Sequence, residues 1–431
     1  MSTLLDLTDG KVCLWHDGAC LLSPGYVCFD GDNYTFGLAA QGTSRRTPKA
    51  VNTRFWSQLS TQPLAPPLGT ARHTADLVHQ HLEVLYTGAN KPETCLVAVP
   101  GTMTREQLSL LLGIAQHLPF AIDGLVHRTA LLASASGLRS GQHVELQLHQ
   151  TVVTAFEEQA GALCVLDTQT LPGQGLLALQ DALATRISDI FVHQTRFDPL
   201  RSADTEQALY DALPSLLANL KGAGESRLSL SGYDARITAE DLTAVGERYS
   251  NQLSVLLTPN DTALLEDPLT LLPGLSLGVS AQPIDSASLH AVATAHADLI
   301  KQTPEALSLC RQLPFVASSK QGQHASQAPQ VKPAPNSATP TTGGSPKEQS
   351  PSGNAPTHIL QGAVATPLAA THVLPSGAMI RQEGDAFLLV GDLPADLHLN
   401  QRPAQQGQTL LAGDVLSDAL GHRATLICVE P

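Results

Sequence analysis

From Ala317 to Pro356 the chain carries almost nothing that could enter a hydrophobic core, and this stretch constrains how everything else folds. After Ala317 it reads SSKQGQHASQAPQVKPAPNSATPTTGGSPKEQSPSGNAP, rich in Pro, Ser, Gln and Gly. Such a composition cannot bury enough apolar surface to offset the entropy of ordering it, so a disordered tether is expected over 317–356. Its Ser/Thr-Pro steps are candidate modification sites; a plain linker is the alternative. Two folded parts must flank it, residues 1–316 and residues 357–431.

The chain has 431 residues, 42% hydrophobic and 15% charged, as in an ordinary globular protein. A formal charge of −14 with no basic stripe argues against a nucleic-acid partner, because neutralising phosphates needs clustered Lys and Arg. Apolar runs such as Leu108 to Ile114 fall far short of a membrane span, and the N-terminus lacks the charged-then-apolar pattern of a leader. The expectation is a cytoplasmic chain without membrane insertion. Seven cysteines, with Cys13, Cys28, Cys95, Cys164 and Cys428 beside Val or Leu, read as reduced core residues, and no C-x-x-C suggests zinc.

The first part opens on short strand-like runs, TLLDL, KVCLWH, ACLLS, YVCFD and NYTFGL, punctuated by Asp-Gly at Asp9, Asp17 and Asp30. Helical and strand patterns then alternate. His73 to Tyr86 places Ala75, Val78, Leu82 and Leu85 on one helix face, and Thr94 to Pro100 reads as a buried strand. A helix over Arg105 to His117 has Thr102 and Thr104 as candidate caps. Val144, Leu146 and Leu148 alternate with Glu145, Gln147 and His149, which predicts a strand with one buried face. Ser188 to Phe191, Thr205 to Leu220 and Ala239 to Tyr249 read as helical; Leu228 to Leu230 and Leu253 to Leu257 read as strands. A meander followed by helix, strand and helix, twice over, implies two related α/β halves.

Several motifs occur in the order found in one family. They are Phe36-Gly37 with Ala39-Ala40, Asn52 to Leu59, and Cys95 to Gly137, in which Val99-Pro100, Arg105 to Gln107, Gly124-Leu125 and Ala130 to Gly137 fall at compatible spacing. Together with LSLSGYDARIT (Leu228 to Thr238), this arrangement resembles the ATPase domain of the seventy-kilodalton heat-shock chaperones, within the actin-like superfamily, over about 280 residues. The resemblance implies an α/β, actin-like ATPase fold of two related halves, with ATP or ADP and Mg²⁺ between them. It assigns DLTDGK (Asp6 to Lys11) to the first phosphate hairpin, with Asp6 orienting a hydrated Mg²⁺ and Thr8 and Lys11 beside the phosphates. It assigns Gly232, Tyr233 and Arg236 to the adenosine turn.

The same resemblance locates departures. Thr8 stands where a glycine gives close approach, and Asp9 adds charge where phosphate belongs. The second hairpin aligns with QLHQTVVT (Gln147 to Thr154), without its acid or glycines, and the family's metal-ordering Glu aligns with His127 or Arg128. Losing most phosphate donors and metal ligands together leaves little to drive hydrolysis. No residue is assigned as a direct metal ligand.

Other constellations carry less. His79 and His81 point to different helix faces and read as a polar helix surface, and His296 with Asp298 has the same problem. Gly173 and Gly175 mark a turn before a helix starting near Leu176, either a phosphate site or a plain turn. Arg196 to Leu200 reads as an inter-subdomain anchor, with Arg196 paired to Asp198 or a neighbour. After His358 the chain is β-rich. Leu397 to Leu416, with Asn400, Leu410-Leu411, Gly413-Asp414 and Val415, resembles the last strands of forkhead-associated domains but lacks their phosphothreonine-reading elements. A small all-β domain for protein contact is expected there.

Three readings stand open: a non-catalytic, chaperone-like protein acting through a protein partner or client; an ATPase with atypical loops built around Asp6 and Gly232; and a self-associating actin-like subunit of a membrane-linked or secretion machine.

Overall fold

Asp17 and Gly18 are both left-handed, φ 47° and 78°, the pair a type I′ turn requires, and they fold β2 (Cys13–His16) onto β3 (Ala19–Leu22). The computed structural model in which this turn is seen describes residues 2–303, 308–315, 358–361, 364–368, 371–373, 379–383, 386–390, 393, 397–400, 402–410, 414–417 and 423–427. The tether and Cys428 lie outside the described residues. Among those described, one compact unit runs from Ser2 to Phe315 apart from Leu171–Gly173, and another holds the strands between His358 and Ile427.

β1 (Leu4–Asp6) is antiparallel to β2 on one side and parallel to a later strand on the other. The predicted meander divides here. β4 (Val27–Phe29) and β5 (Tyr34–Phe36) leave the main sheet and pair with β6 (Val51–Asn52) after α1 (Gly37–Gln41). The hairpin β7 (Pro63–Leu68) and β8 (Ala71–His73) leads into α2 (Thr74–Gly88), whose Ala75, Val78, Leu82 and Leu85 are buried as the periodicity predicts. β9 (Thr94–Val99) follows, and then α3 (Arg105–Ala115), capped by Thr104 in a capping box with Gln107. β10 (Ala121–His127) completes a parallel set beside β1.

α4 (Arg128–Ser136) is buried at every residue from Arg128 to Ser134 and ends on left-handed Gly137, φ 75°, so it is a core helix rather than a surface one. The second sheet then repeats the path of the first. β11 (Ser140–Leu146), β12 (Gln150–Gln159) and β13 (Ala162–Pro172) form a meander whose second turn, Ala160-Gly161, is again left-handed at both residues. α5 (Leu176–Thr195), α6 (Ala203–Ala223), the isolated hairpin β14 (Glu225–Leu230) and β15 (Tyr233–Thr238), and α7 (Ala239–Leu253) intervene. β16 (Thr262–Leu265) and β17 (Ser280–Pro283) then add parallel to β11. In each sheet the leading strand therefore has an antiparallel meander on one side and parallel strands on the other.

α8 (Ser288–Ala295) and α9 (Ala297–Ile300) precede a short strap. Within it β18 (Leu309–Cys310) joins β10 in the first sheet, and β19 (Gln312–Pro314) joins β13 in the second. The chain is thus α/β, with two similar sheets in one unit. In the C-terminal unit Ile359, Ile380, Leu389, Leu410 and Leu426, drawn from a six-stranded and a four-stranded sheet, share one apolar core. Asn400, left-handed at φ 51°, donates to Asp414 and accepts from the N–H of Val415.

Several local expectations are corrected. Leu253 to Leu257 is not a strand: Leu253 ends α7 and Val255 is half exposed on the turn after it, while the strand lies at Thr262–Leu265. Cys13 is not a free thiol but is bonded to Cys20. His81 is fully buried, where its ring accepts from Trp56 Nε1, meets the Ser23 hydroxyl and stacks on Phe36. Arg196 caps α5 in a left-handed conformation, while Asp198 accepts from the Ser188 hydroxyl and the Leu200 N–H instead of pairing with it.

Candidate functional site

Parallel α/β sheets offer sites at the carboxyl ends of their strands, where loops and helix N-termini converge. Here two sheets bring such ends together. Asp6 closes β1, His127 closes β10, Arg128 opens α4, Glu145 lies one residue before the end of β11, and Glu266 follows β16.

Arg128, fully buried, is the hub. Its Nε and Nη2 donate to the two carboxylate oxygens of Asp6 at 2.7 and 3.1 Å. Nη1 and Nη2 donate to the two oxygens of Glu266 at 2.5 and 2.7 Å. Nη1 also lies 3.4 Å from Glu145, whose other oxygen accepts from the Gln147 amide at 2.6 Å. His143 Nε2 meets Glu266 at 2.9 Å, and its Nδ1 meets the Thr129 hydroxyl at 3.0 Å. A planar guanidinium suits two such forks at once, which a lysine could not make.

Burial raises the Asp6 carboxyl above its usual range in spite of Arg128. Burial would also raise Glu266, but the bonds from Arg128 and His143 prevail and hold it low. Against the burial that would lower it, Arg128 is held well above an ordinary arginine by Asp6, Glu266 and Glu145. The cation therefore stays charged and serves carboxylates from both sheets.

The hairpin tips are closed on each other beside this cluster. Leu148 N–H donates to Asp9 Oδ1 at 2.8 Å, and burial, partly opposed by that bond, pushes the Asp9 carboxyl up to about 7. His149 Nε2 contacts the Thr53 hydroxyl at 2.9 Å in the first lobe, and burial brings its pKa down to about 4. Behind the second tip, N–H groups at the start of α5 are already engaged: Leu176 donates to Gln147 O and Leu177 to Leu148 O. Gly175 is therefore a packing glycine, since a Cβ there would meet the backbone of residues 148–150 at 2.4–2.5 Å. The pocket left over, lined by Asp9, Trp56, Thr102, Gln107, Gln147 and Gln150, holds about 50 Å³, room for a few waters.

The site residues expected from sequence are dispersed. Asp6 is in the cluster, Thr8 is buried beside it with no partner for its hydroxyl, and Lys11 turns away to donate to Ser286. Gly232, Tyr233 and Arg236 lie on the separate hairpin of β14 and β15 and share no hydrogen bond or ion pair with Asp6, Thr8 or Lys11. Tyr233 stacks on Phe197, and Arg236 pairs with exposed Glu225. The parallel strand that reaches the centre is β16, with Glu266 at its end. The acid that β11 brings to the cluster is Glu145, two residues before Gln147.

Glu145 and Gln147, expected on the solvent face of this run, are both buried and turn towards Arg128 and Thr102 instead. The sequence signals for Glu145 and Glu266 are an acid inside an apolar alternation and an acid directly after TALL. These residues do not fit a magnesium nucleotide: both Asp6 oxygens face a fixed cation, and the hairpin backbone is occupied by protein groups. Among the described residues, no cluster of three His, Cys, Asp or Glu suits a metal, and no helix is long and apolar enough to cross a membrane. No protein-family model matches the chain, and no curated protein matches it.

Proposed function

We propose that this chain is a non-catalytic, chaperone-like scaffold of the actin-like type, in which an internal arginine stands where a nucleotide's metal would otherwise join the two halves. The duplicated sheet path supports the actin-like part of this reading. The observation that carries the functional part is Arg128, bonded in forks to Asp6 at the end of a first-sheet strand and to Glu266 at the end of a second-sheet strand. A cleft held shut by its own ions needs no nucleotide to close it. Work is then done through surfaces, with a protein partner or client as the counterpart and the β-rich C-terminal unit as a second contact module.

Melting temperature with and without millimolar Mg-ATP or Mg-ADP tests this reading. No shift and no release of phosphate are expected. A saturable rise would overturn it in favour of a nucleotide-binding protein. Sedimentation over a range of concentrations distinguishes a scaffold of fixed size from a self-assembling subunit.

A further inference from the structure

The Asp9 carboxyl closes one hairpin tip on the other with only one of its two oxygens. Oδ1 accepts from the Leu148 N–H, while Oδ2 is buried and has no hydrogen-bond partner in the protein. The residue is 4% exposed. Asp6 and Glu266 are equally enclosed but share the Arg128 cation, whereas Asp9 has no such ion pair. An ionised carboxylate in this position would hold its charge away from water with one oxygen unbonded, which is costly. Protonation removes the charge and leaves Oδ1 free to accept from Leu148.

The groups around Asp9 do not reverse that preference. Glu145 of β11 opposes ionisation by its own charge, and Arg54, just after β6, favours it. Tyr26, just before β4, is kept a neutral phenol by burial. His149, on the facing tip, is kept neutral by burial above about pH 4. Burial outweighs Arg54 and the N–H groups of Leu148 and Gly10, and the Asp9 carboxyl is pushed up to about 7. Asp9 belongs to the first lobe and Leu148 to the second, so their bond exists only while the tips are together. Parting them lets water reach the carboxyl and restores an ordinary carboxylate.

We propose that Asp9 and Leu148 form a proton-controlled latch on the cleft: protonated Asp9 holds the two tips together, and ionisation releases them, uncovering the polar pocket lined by Thr102, Gln107, Gln147 and Gln150. The closed form binds its proton more tightly than the open one, whose carboxyl returns to about 3.8. Opening is therefore hardest below about pH 4, eases by up to about tenfold per pH unit as pH rises to 7, and levels off above that. The Arg128 ion pairs do not include Asp9, so the tips can part while those pairs persist.

Hydrogen exchange of the Leu148 amide in the full chain, followed by mass spectrometry and divided by the intrinsic rate at each pH, reads this opening. Its protection should fall roughly fiftyfold between about pH 5 and pH 7 and then level off. Asp9→Asn accepts the same bond but cannot ionise, and its profile should be flat. Arg54→Met loses the cation that favours ionisation, so its levelling point should move to higher pH; this variant keeps the test decisive if Asp9→Asn does not fold. Leu264, fully buried in β16, should stay better protected than Leu148 throughout. A flat wild-type profile, a slope that survives in Asp9→Asn, an unmoved levelling point in Arg54→Met, or equal protection of Leu148 and Leu264 would each overturn the proposal. Nucleotide binding is read by melting temperature instead, so either idea can fail without the other.

Discussion

Asp9 Oδ1 accepts a hydrogen bond from the backbone N–H of Leu148 at 2.8 Å, which fastens the leading hairpin of one lobe to that of the other. Leu148 is fully buried with Tyr26, Cys28 and Ala40 from the first lobe, so the fastening is apolar as well as polar. A hairpin N–H that would face a phosphate in a nucleotide cradle is here taken by a side chain.

Arg128→Met should be strongly destabilising, because it leaves Asp6, Glu145 and Glu266 buried without their cation. Breaking a buried pair from one side costs about 3–5 kcal/mol. Adding Asp6→Asn and Glu266→Gln should recover part of that loss, since the stranded charges go too. Urea unfolding of the single and triple variants checks both statements.

Asp9 should give the protein a pH dependence opposite to that of most carboxylates. Its folded pKa of about 7 lies above the usual 3.8, so between those values the native state holds a proton that the unfolded chain has released. Its contribution to stability is thus fully present below about pH 4 and is lost as pH rises towards 7. Asp9→Asn keeps an acceptor for Leu148 N–H and removes the titration. Unfolding free energies of the two proteins should diverge across this window, with the variant gaining relative to wild type as pH rises; parallel curves would refute the assignment.

Two glycine substitutions should differ in size for different reasons. Gly175→Ala drives a methyl into the backbone of residues 148–150 without requiring a left-handed residue, so the tip must move, at a cost of roughly 3 kcal/mol or more. Gly232→Ala meets nothing within 4 Å but must adopt φ 83°, costing about 1–2 kcal/mol. Thermal unfolding of both variants ranks them.

The arginine pair at the lobe interface should also be unequal. Arg45 is mostly buried against Tyr210, Asp181 and Glu206, and Arg45→Ala should cost about 1–2 kcal/mol. Arg46 bonds Asp204, whose side chain is 80% exposed, and Arg46→Ala should cost at most about 0.5 kcal/mol. A double-mutant cycle with Asp181→Ala and Asp204→Ala separates the two.

The regular elements were legible because local pattern determines them. Asp17-Gly18 fixes a turn by itself, and the 3.6-residue spacing of Ala75, Val78, Leu82 and Leu85 marks a buried helix face with no outside help. The site was less legible because its members are far apart: Arg128 lies 122 residues from Asp6 and 138 from Glu266. Reading Leu253 to Leu257 as a strand hid β16 and with it Glu266. The alternation around Glu145 marks a strand, but strand periodicity cannot distinguish a face turned to water from one turned to a second sheet. Cys13 and Cys20, seven residues apart, were hidden by their apolar neighbours.

The strap of Leu309–Cys310 and Gln312–Pro314 has a mechanical consequence. Its two short strands are stitched to different sheets with one residue between them, and Leu313 is fully buried. Tension arriving along the chain beyond Phe315 would reach the second sheet first and the first sheet only a residue later. The strap would then act as a drawstring, peeling from its C-terminal end and slackening both lobes in sequence.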